Sequence, residues 1–279
     1  MGVEVRDYTR QSAYSDPGKY AALLDDLPRD IGALTAVVRN VIVHYVAGGF
    51  EFTGDRLAEI DCKFVERILD TDQGRHPFPL AEPRRPDQRV AGCCRDFTLL
   101  TVAALRHQGV PARSRAGWAS YLQPDFHYDH VIAEYWNGER WVWVDAQVGE
   151  LDIPPDAGLF DSGATAWRAL RRGEIDPDNY GVWPGSPLRG DWFIRNYVIH
   201  EVAHRYRDEL LLWEEWGAIA HSSHDLAGDL AFFDDVAELL VRADGGDESA
   251  ERELHRVYTT DDRLRPGEAV RSFSPAHVG

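Results

Sequence analysis

Basic residues are in short supply in this sequence. Lys and Arg number 30 against 47 Asp and Glu, a formal net charge of −17 over 279 residues. Nucleic acid and anionic membrane surfaces both reward basic patches, so neither is expected as a partner. A cationic substrate or plain solubility fits the balance better. Cysteine is scarce as well. Cys62, Cys93 and Cys94 make an odd set of three, too few for a disulfide framework, and a reducing compartment is expected. No apolar run approaches the length of a membrane span, and no signal-peptide core opens the chain. Arg6 stands where a myristoylation signal needs a hydroxyl residue, and cytoplasmic residence is the expectation. Internal repeats, a glycine-rich phosphate loop and a calcium-binding loop are also missing, so no cofactor is expected. What is there is ordinary for a soluble globular protein: 44% hydrophobic and 28% charged residues, enough for one domain with a sizeable core.

The stretch from Gly92 to Gln147 concentrates the residues that carry chemistry. Cys94 opens a helical pattern to His107, with Phe97, Leu100, Ala104 and Leu105 on one face and Gly109 and Pro111 to stop it. In a first helical turn, unpaired N–H groups and the helix dipole favour a thiolate. Downstream, Asn137-Gly138 between two alternating runs predicts a hairpin with a two-residue type I′ turn. In that register Glu134 faces Trp141, Ile132 faces Trp143 and His130 faces Asp145. Opposed side chains share a sheet face about 5 Å apart, and a one-residue slip would part them. Thiol, imidazole and carboxylate are the parts of a nucleophile, its base and the group that orients the base. Free cysteine is also among the most buried residue types. Cys62, beside Phe64 and Val65, reads as such a core residue, and Cys93 as a spacer or a second oxidisable thiol.

Gly92-Cys93-Cys94-Arg95-Asp96-Phe97, Gly109-Val110-Pro111-Ala112-Arg113, the His130 strand and Trp141-Val142-Trp143-Val144-Asp145 together resemble the transglutaminase-like superfamily, of papain-like fold. The resemblance covers roughly the central fifth of the chain. Asp16-Pro17-Gly18 and the Arg189-to-Gly217 segment look like an uncharacterised bacterial branch of it. The resemblance implies Cys94 as nucleophile, Cys93 at the variable position, His130 as base and Asp145 as its orienting partner. Many members carry an aromatic residue after the histidine, where this chain has Val131. An amide- or peptide-containing substrate is implied, with an amine acceptor as one option. Gln88, six positions before Cys94, resembles the oxyanion amide of papain-like enzymes, although a loop role and the Cys94 backbone N–H are its competitors. Trp118 and Trp143 are further candidates for substrate contact.

The flanks read as helices and loops. Residues 1–90 predict helices with stripes at Tyr20–Leu27, Ile31–Tyr45 and Arg56–Leu69, His44 packing beside the second, then a proline-rich loop from His76 to Pro86. Residues 91–150 form the core unit, with a strand from Arg113 to Tyr121. Beyond it, Leu151–Ser162 predicts a loop, Ala164–Arg172 a helix, and Asp176–Gly190 a loop that could serve as a lid. Helices are expected over Trp192–Trp216 and Leu226–Val241, with a frayed tail from Pro266. The long helix contains His200-Glu201-Val202-Ala203-His204, which matches the zinc-peptidase pattern H-E-x-x-H. It is the sharpest rival, with His221, His224 or an acidic residue as third ligand, against a helix that packs Phe193, Tyr197, Val198 and Leu211. The expectation is a single α+β domain, a nucleophile helix on an antiparallel sheet flanked by terminal helices. Its chemistry would be acyl transfer or amide hydrolysis through a Cys94 thioester. A zinc peptidase and a non-catalytic binding scaffold stand as alternatives.

Overall fold

The computed structural model describes residues 5–222 and 230–277. Helix α1 (Ile31–Val41) starts at Asp30, whose carboxylate accepts the Ala33 amide at 2.9 Å. The apolar stripe continues past it, but Ile42–His44 is strand β1, paired in parallel with β2 (Val90–Gly92). A buried strand is as apolar as a helix face, so distant pairing and not periodicity decides here. The expected Arg56–Leu69 helix is likewise split. A short α2 (Gly54–Leu57) and a 3₁₀ turn give way to α3 (Val65–Arg75), separated by Lys63 at φ 59°. A left-handed residue cannot continue a right-handed helix.

Helix α4 (Cys94–His107) lies against the main sheet, which is built from β3 (Ala112–Ala119), β4 (His127–Trp136), β5 (Trp141–Asp145), β6 (Glu150–Ile153) and β7 (Phe160–Ser162). The order is β6-β5-β4-β3-β7, all antiparallel, and β8 (Tyr180–Gly181) runs parallel beside the start of β4. The loop expected over residues 151–162 therefore supplies two edge pairings. The candidate lid is pinned: β8 comes from it, and His127 stacks on Tyr180 at 4.2 Å.

Helix α5 (Gly163–Arg171) precedes α6 (Asp191–Arg205). The expected helix to Trp216 stops early, since Arg207 is at φ 69° and Glu214–Glu215 is strand β9. Then α7 (Leu230–Asp244) and α8 (Glu248–Thr260) form a helical pair, and β10 (Arg271–Ser272) closes on β9. Leu226, the expected start of α7, lies outside the described residues. The tail is not frayed at β10, and Ser274 beyond it is buried with its hydroxyl on Asp61 at 2.7 Å.

Alternation along the strands sorts the two faces of the sheet. Ala112, Ala133 and Val144 join α1, α3 and α4 in one apolar cluster. Ala116, Trp118 and Val131, on the same face by register, join α5 to α8 in another. The opposite face carries Arg113, Arg115, His130 and Glu134. Arg113, Arg115 and Arg205 are tied there to Glu134, Glu201, Asp244 and Glu251. The architecture is α+β, with the Cys94 helix packed on an antiparallel sheet.

Candidate active site

Gly92 and Asp96 set the position of the nucleophile candidate. A Cβ at Gly92 would lie 3.0 Å from both the Asp96 carboxylate and the Ile42 side chain, so glycine lets β1 and the helix cap close together. The Asp96 carboxylate accepts the Cys93 amide at 2.9 Å, and Arg95 pairs with it at 3.0 Å. Arg95 is itself buried, its guanidinium donating to the Glu209 carbonyl. This is an N-terminal cap made from the carboxylate side. Cys93 becomes the cap residue and Cys94 the first residue of α4, only 6% exposed.

The hairpin arrives at the same site by a different register. Trp136 pairs with Trp141, Glu134 with Trp143 and Ala133 with Val144, so the connection has four residues and not two. Asn137 closes it with its side chain, which accepts the amides of Glu139 and Arg140, both at 2.9 Å. The correction is a shift by two, and a shift by two keeps every side chain on its face. His130 and Asp145 become diagonal neighbours and not directly opposed, within reach of long side chains. Their contact is His130 Nε2 to Asp145 Oδ2 at 2.7 Å. Strand β5 pairs only with Ala133–Trp136, and α4 comes alongside the preceding stretch, Thr98 donating to the Val131 carbonyl at 2.7 Å. That contact brings Cys94 to the imidazole, and with Nε2 on Asp145 it is Nδ1 that faces the thiol.

Charges in this group reinforce one another. The Cys93 thiol hydrogen-bonds to Cys94 and, against burial, the charge and hydrogen bond of His130 help hold the Cys94 thiol well below its ordinary range. Cys93 is pushed the other way by that same bond, then by burial. Burial alone would pull His130 down, but Asp145 and then Cys94 outweigh it and keep the imidazolium well above its usual range. Asp145 is fully buried, which opposes its charge. His130, the Tyr121 hydroxyl at 2.7 Å and the Gln147 amide at 2.8 Å nevertheless hold it below the ordinary carboxylate range. Opposite charges and hydrogen bonds to the charged form are the two effects that can overcome desolvation. The arrangement can present a thiolate to a carbonyl carbon and a proton to a leaving group.

Other candidates fall elsewhere. Gln88 ends a 3₁₀ turn and accepts the Arg85 amide at 2.9 Å, which gives its amide a local task. Trp118 is fully buried against Tyr180, Phe193 and Tyr197, so it packs behind the site and does not line an open cleft. Trp143 is half-buried and donates to Glu134 at 2.7 Å. Cys62 is a packing residue whose thiol burial pushes up to about 11. Asp129 turns to the face opposite His130 and accepts the Tyr197 hydroxyl at 2.8 Å; burial, then the nearby Cys94 charge, raise it to about 7. Sequence reasoning missed Tyr121 and placed His44 in helix packing. The alternation of β3 leads toward Tyr121, but nothing local in the sequence reveals that β1 lays His44 beside Gly92.

The H-E-x-x-H helix is committed to packing. His200 is buried edge-on against Trp216 at 5.1 Å, and burial pushes it down to about 3. Glu201 is held by Arg115 at 3.1 Å and by the Ala164 amide at 2.7 Å. His204 uses both ring nitrogens, on the Ser114 hydroxyl at 2.8 Å and the Leu210 carbonyl at 3.2 Å. His221 pairs with Glu215 at 2.9 Å, and His224 lies outside the described residues. A helical spacing of two histidines is present, but His204 and Glu201 are engaged by other groups, and among the described residues no three His, Cys, Asp or Glu side chains are grouped to hold a metal ion. On that ground the helix is described as a packing element. Among the described residues no helix is long and apolar enough to cross a membrane. A cavity of about 220 Å³ lies between Tyr8, Arg113, Arg205 and Asp244, and none of Cys94, His130 or Asp145 lines it.

Comparison with known proteins places these elements. Residues 62–146, which hold the Cys94 helix and the His130 and Asp145 strands, match the model described as the transglutaminase-like superfamily. No curated protein matches the chain. A crystal structure named "Putative Cysteine Protease", from Cytophaga hutchinsonii, is similar over 58% of this chain at 20% identity, with a TM-score of 0.34. The match spans 51% of that chain, about half of its length.

Proposed function

We propose, on the footing that residues 62–146 match the model of the transglutaminase-like superfamily, that the protein is a cysteine acyl-transfer enzyme acting on an amide. Cys94 thiolate attacks the carbonyl carbon and His130 holds the displaced thiol proton at Nδ1. The tetrahedral adduct collapses as that proton passes to the leaving amine, leaving a thioester on Cys94. Asp145 fixes the imidazole orientation and stabilises the imidazolium. Water or a second amine then resolves the thioester, and the same three groups serve either acceptor. A peptide amide is the proposed donor and a primary amine the proposed acceptor beside water.

The observation that carries this reading is the arrangement of one imidazole between a helix-start thiol and a buried carboxylate at 2.7 Å. Two further contacts, from Tyr121 and the Gln147 amide, support Asp145 in that role. The test is capture of the acyl-enzyme. Incubation with p-nitrophenyl acetate followed by peptide mass mapping should place one acetyl group on Cys94. Methylamine should shorten the lifetime of the adduct if amines are acceptors. Acetylation confined to surface residues, and unchanged in Cys94→Ala, would remove the proposal.

A further inference from the structure

Strand β1 ends at His44, and its Cα partner in β2 is Gly92, two residues before Cys94. The Tyr45 amide donates to the Gly92 carbonyl at 3.0 Å, which fixes the end of β1 against the segment that leads into α4. The chain then turns back on the ring itself. The amides of Val46 and Ala47 both donate to His44 Nδ1, at 3.2 and 3.0 Å. A ring nitrogen that accepts two N–H groups cannot carry a proton, so the neutral imidazole must be the Nε2–H tautomer. Burial pulls this histidine down, in the direction that keeps it neutral, and it feels the charges of Cys94, His130 and Asp145. The ring is half-buried and stacked on Tyr45 at 5.3 Å, and Nε2 has no hydrogen-bond partner among the described residues. The result is an oriented neutral donor beside the nucleophile, with its N–H unused.

Acyl transfer needs such a donor. As the Cys94 sulfur bonds to the carbonyl carbon, the π electrons move to oxygen, and the negative oxygen must be met by preorganised N–H groups. The Cys94 backbone N–H, first of the helix and without an acceptor within it, is one. We propose that His44 Nε2–H is the second, so that His44 is a catalytic residue that binds the oxyanion. It transfers no proton. It donates while the adduct lasts and is released when the carbonyl reforms and the C–N or C–O bond breaks, the proton for the leaving group coming from His130. This inference rests on the acyl-transfer reading of the preceding subsection. The two backbone donors are what distinguish His44 from an ordinary second base, because they bar Nδ1 from accepting a proton.

Two substitutions separate the donor from the turn it closes. His44→Asn keeps an acceptor near the Nδ1 position for Val46 and Ala47 but has no group at the reach of Nε2. His44→Gln reaches that point with an N–H but gives up the Nδ1 acceptor. The rate of Cys94 acylation by p-nitrophenyl acetate should fall about 100-fold or more in His44→Asn, and His44→Gln should recover about tenfold of it. Iodoacetamide alkylation of Cys94, which passes through no oxyanion, should keep its wild-type rate and pH profile in both. Full acylation by His44→Asn with loss in His44→Gln would assign His44 to the turn alone and overturn the inference. So would a parallel loss of alkylation in His44→Asn, since His44 would then act through the thiolate. A wild type that alkylates at Cys94 but is never acylated removes the acyl-transfer reading and this inference with it. Normal acylation of both variants removes only the inference.

Discussion

Two groups of buried histidines in this molecule have similar burial and opposite electrostatics. His130 is 2% exposed and held above its ordinary range, with a carboxylate on one nitrogen and a thiol at the other. His200 and His204 are as deeply buried, and both are driven down, by burial first in each case. Desolvation acts on all three, and only the partners differ. At His130 two anionic groups make protonation favourable. On the α6 helix the acidic neighbour Glu201 turns to Arg115 and the Ala164 amide, and His204 hydrogen-bonds to neutral groups with the Arg95 charge nearby. The local sequence H-E-x-x-H carries a sharper motif than the residues around His130, yet it is around His130 that thiol, imidazole and carboxylate converge.

The largest effect that would sharpen this contrast is on activity. Cys94→Ala and His130→Ala should each slow acyl transfer by about 10⁴-fold or more, and the double variant should be little slower than either, because the groups act as a unit. Single-turnover acylation measures it. His204→Ala should leave the rate per folded molecule near wild type. Equal losses at the two sites would break the comparison.

The next effect is on stability. Glu201→Ala leaves the buried Arg115 short of a partner and the Ala164 amide without its acceptor. Breaking a buried pair in this way costs about 3–5 kcal/mol. A denaturation midpoint well below wild type is expected, with normal acylation by the fraction that remains folded. Wild-type stability would show that the network around Arg115 compensates fully, and the packing account of the helix would be wrong.

The smallest effect concerns acid. The folded pKa of His200 is depressed to about 3 from an ordinary value near 6.5. The unfolded chain therefore binds more protons between those values, and stability falls as pH drops below 6.5, by about 1.4 kcal/mol per pH unit at most. His200→Phe should flatten the acid side of the melting-temperature profile over that range. An unchanged acid limb would show that His200 is not among the groups that titrate on unfolding.

The same contrast explains what could be read in advance. Parity carried the His130–Asp145 contact: a two-residue and a four-residue hairpin connection differ by two, and alternation cannot tell them apart. The choice was made by the Asn137 side chain, which caps Glu139 and Arg140. The helix start at Cys94 was legible because capping and apolar spacing are local signals, and Asp96 provides the cap three residues on from Cys93. Features built by distant pairing were not. Ile42 and Val43 are as apolar as the helix before them, and only their alignment with Val90 and Ala91 makes them a strand. The long helix expected through Trp216 was cut by Arg207 and by the pairing of Glu214 with Ser272, neither of which a periodicity records. His44 comes beside Gly92, and Tyr121 onto Asp145, through such long-range placements.

The central claim is an activated thiolate–imidazolium pair at Cys94 and His130. The most direct measurement is the pH dependence of iodoacetamide alkylation at each cysteine, resolved by peptide mapping, in the wild type and in His130→Ala. The account predicts fast labelling of Cys94 at pH values well below the ordinary thiol pKa of about 8.5, loss of that labelling in His130→Ala, and slow labelling of Cys62 in both. Cys94 labelling no faster than Cys62, or a profile unchanged by His130→Ala, would contradict it.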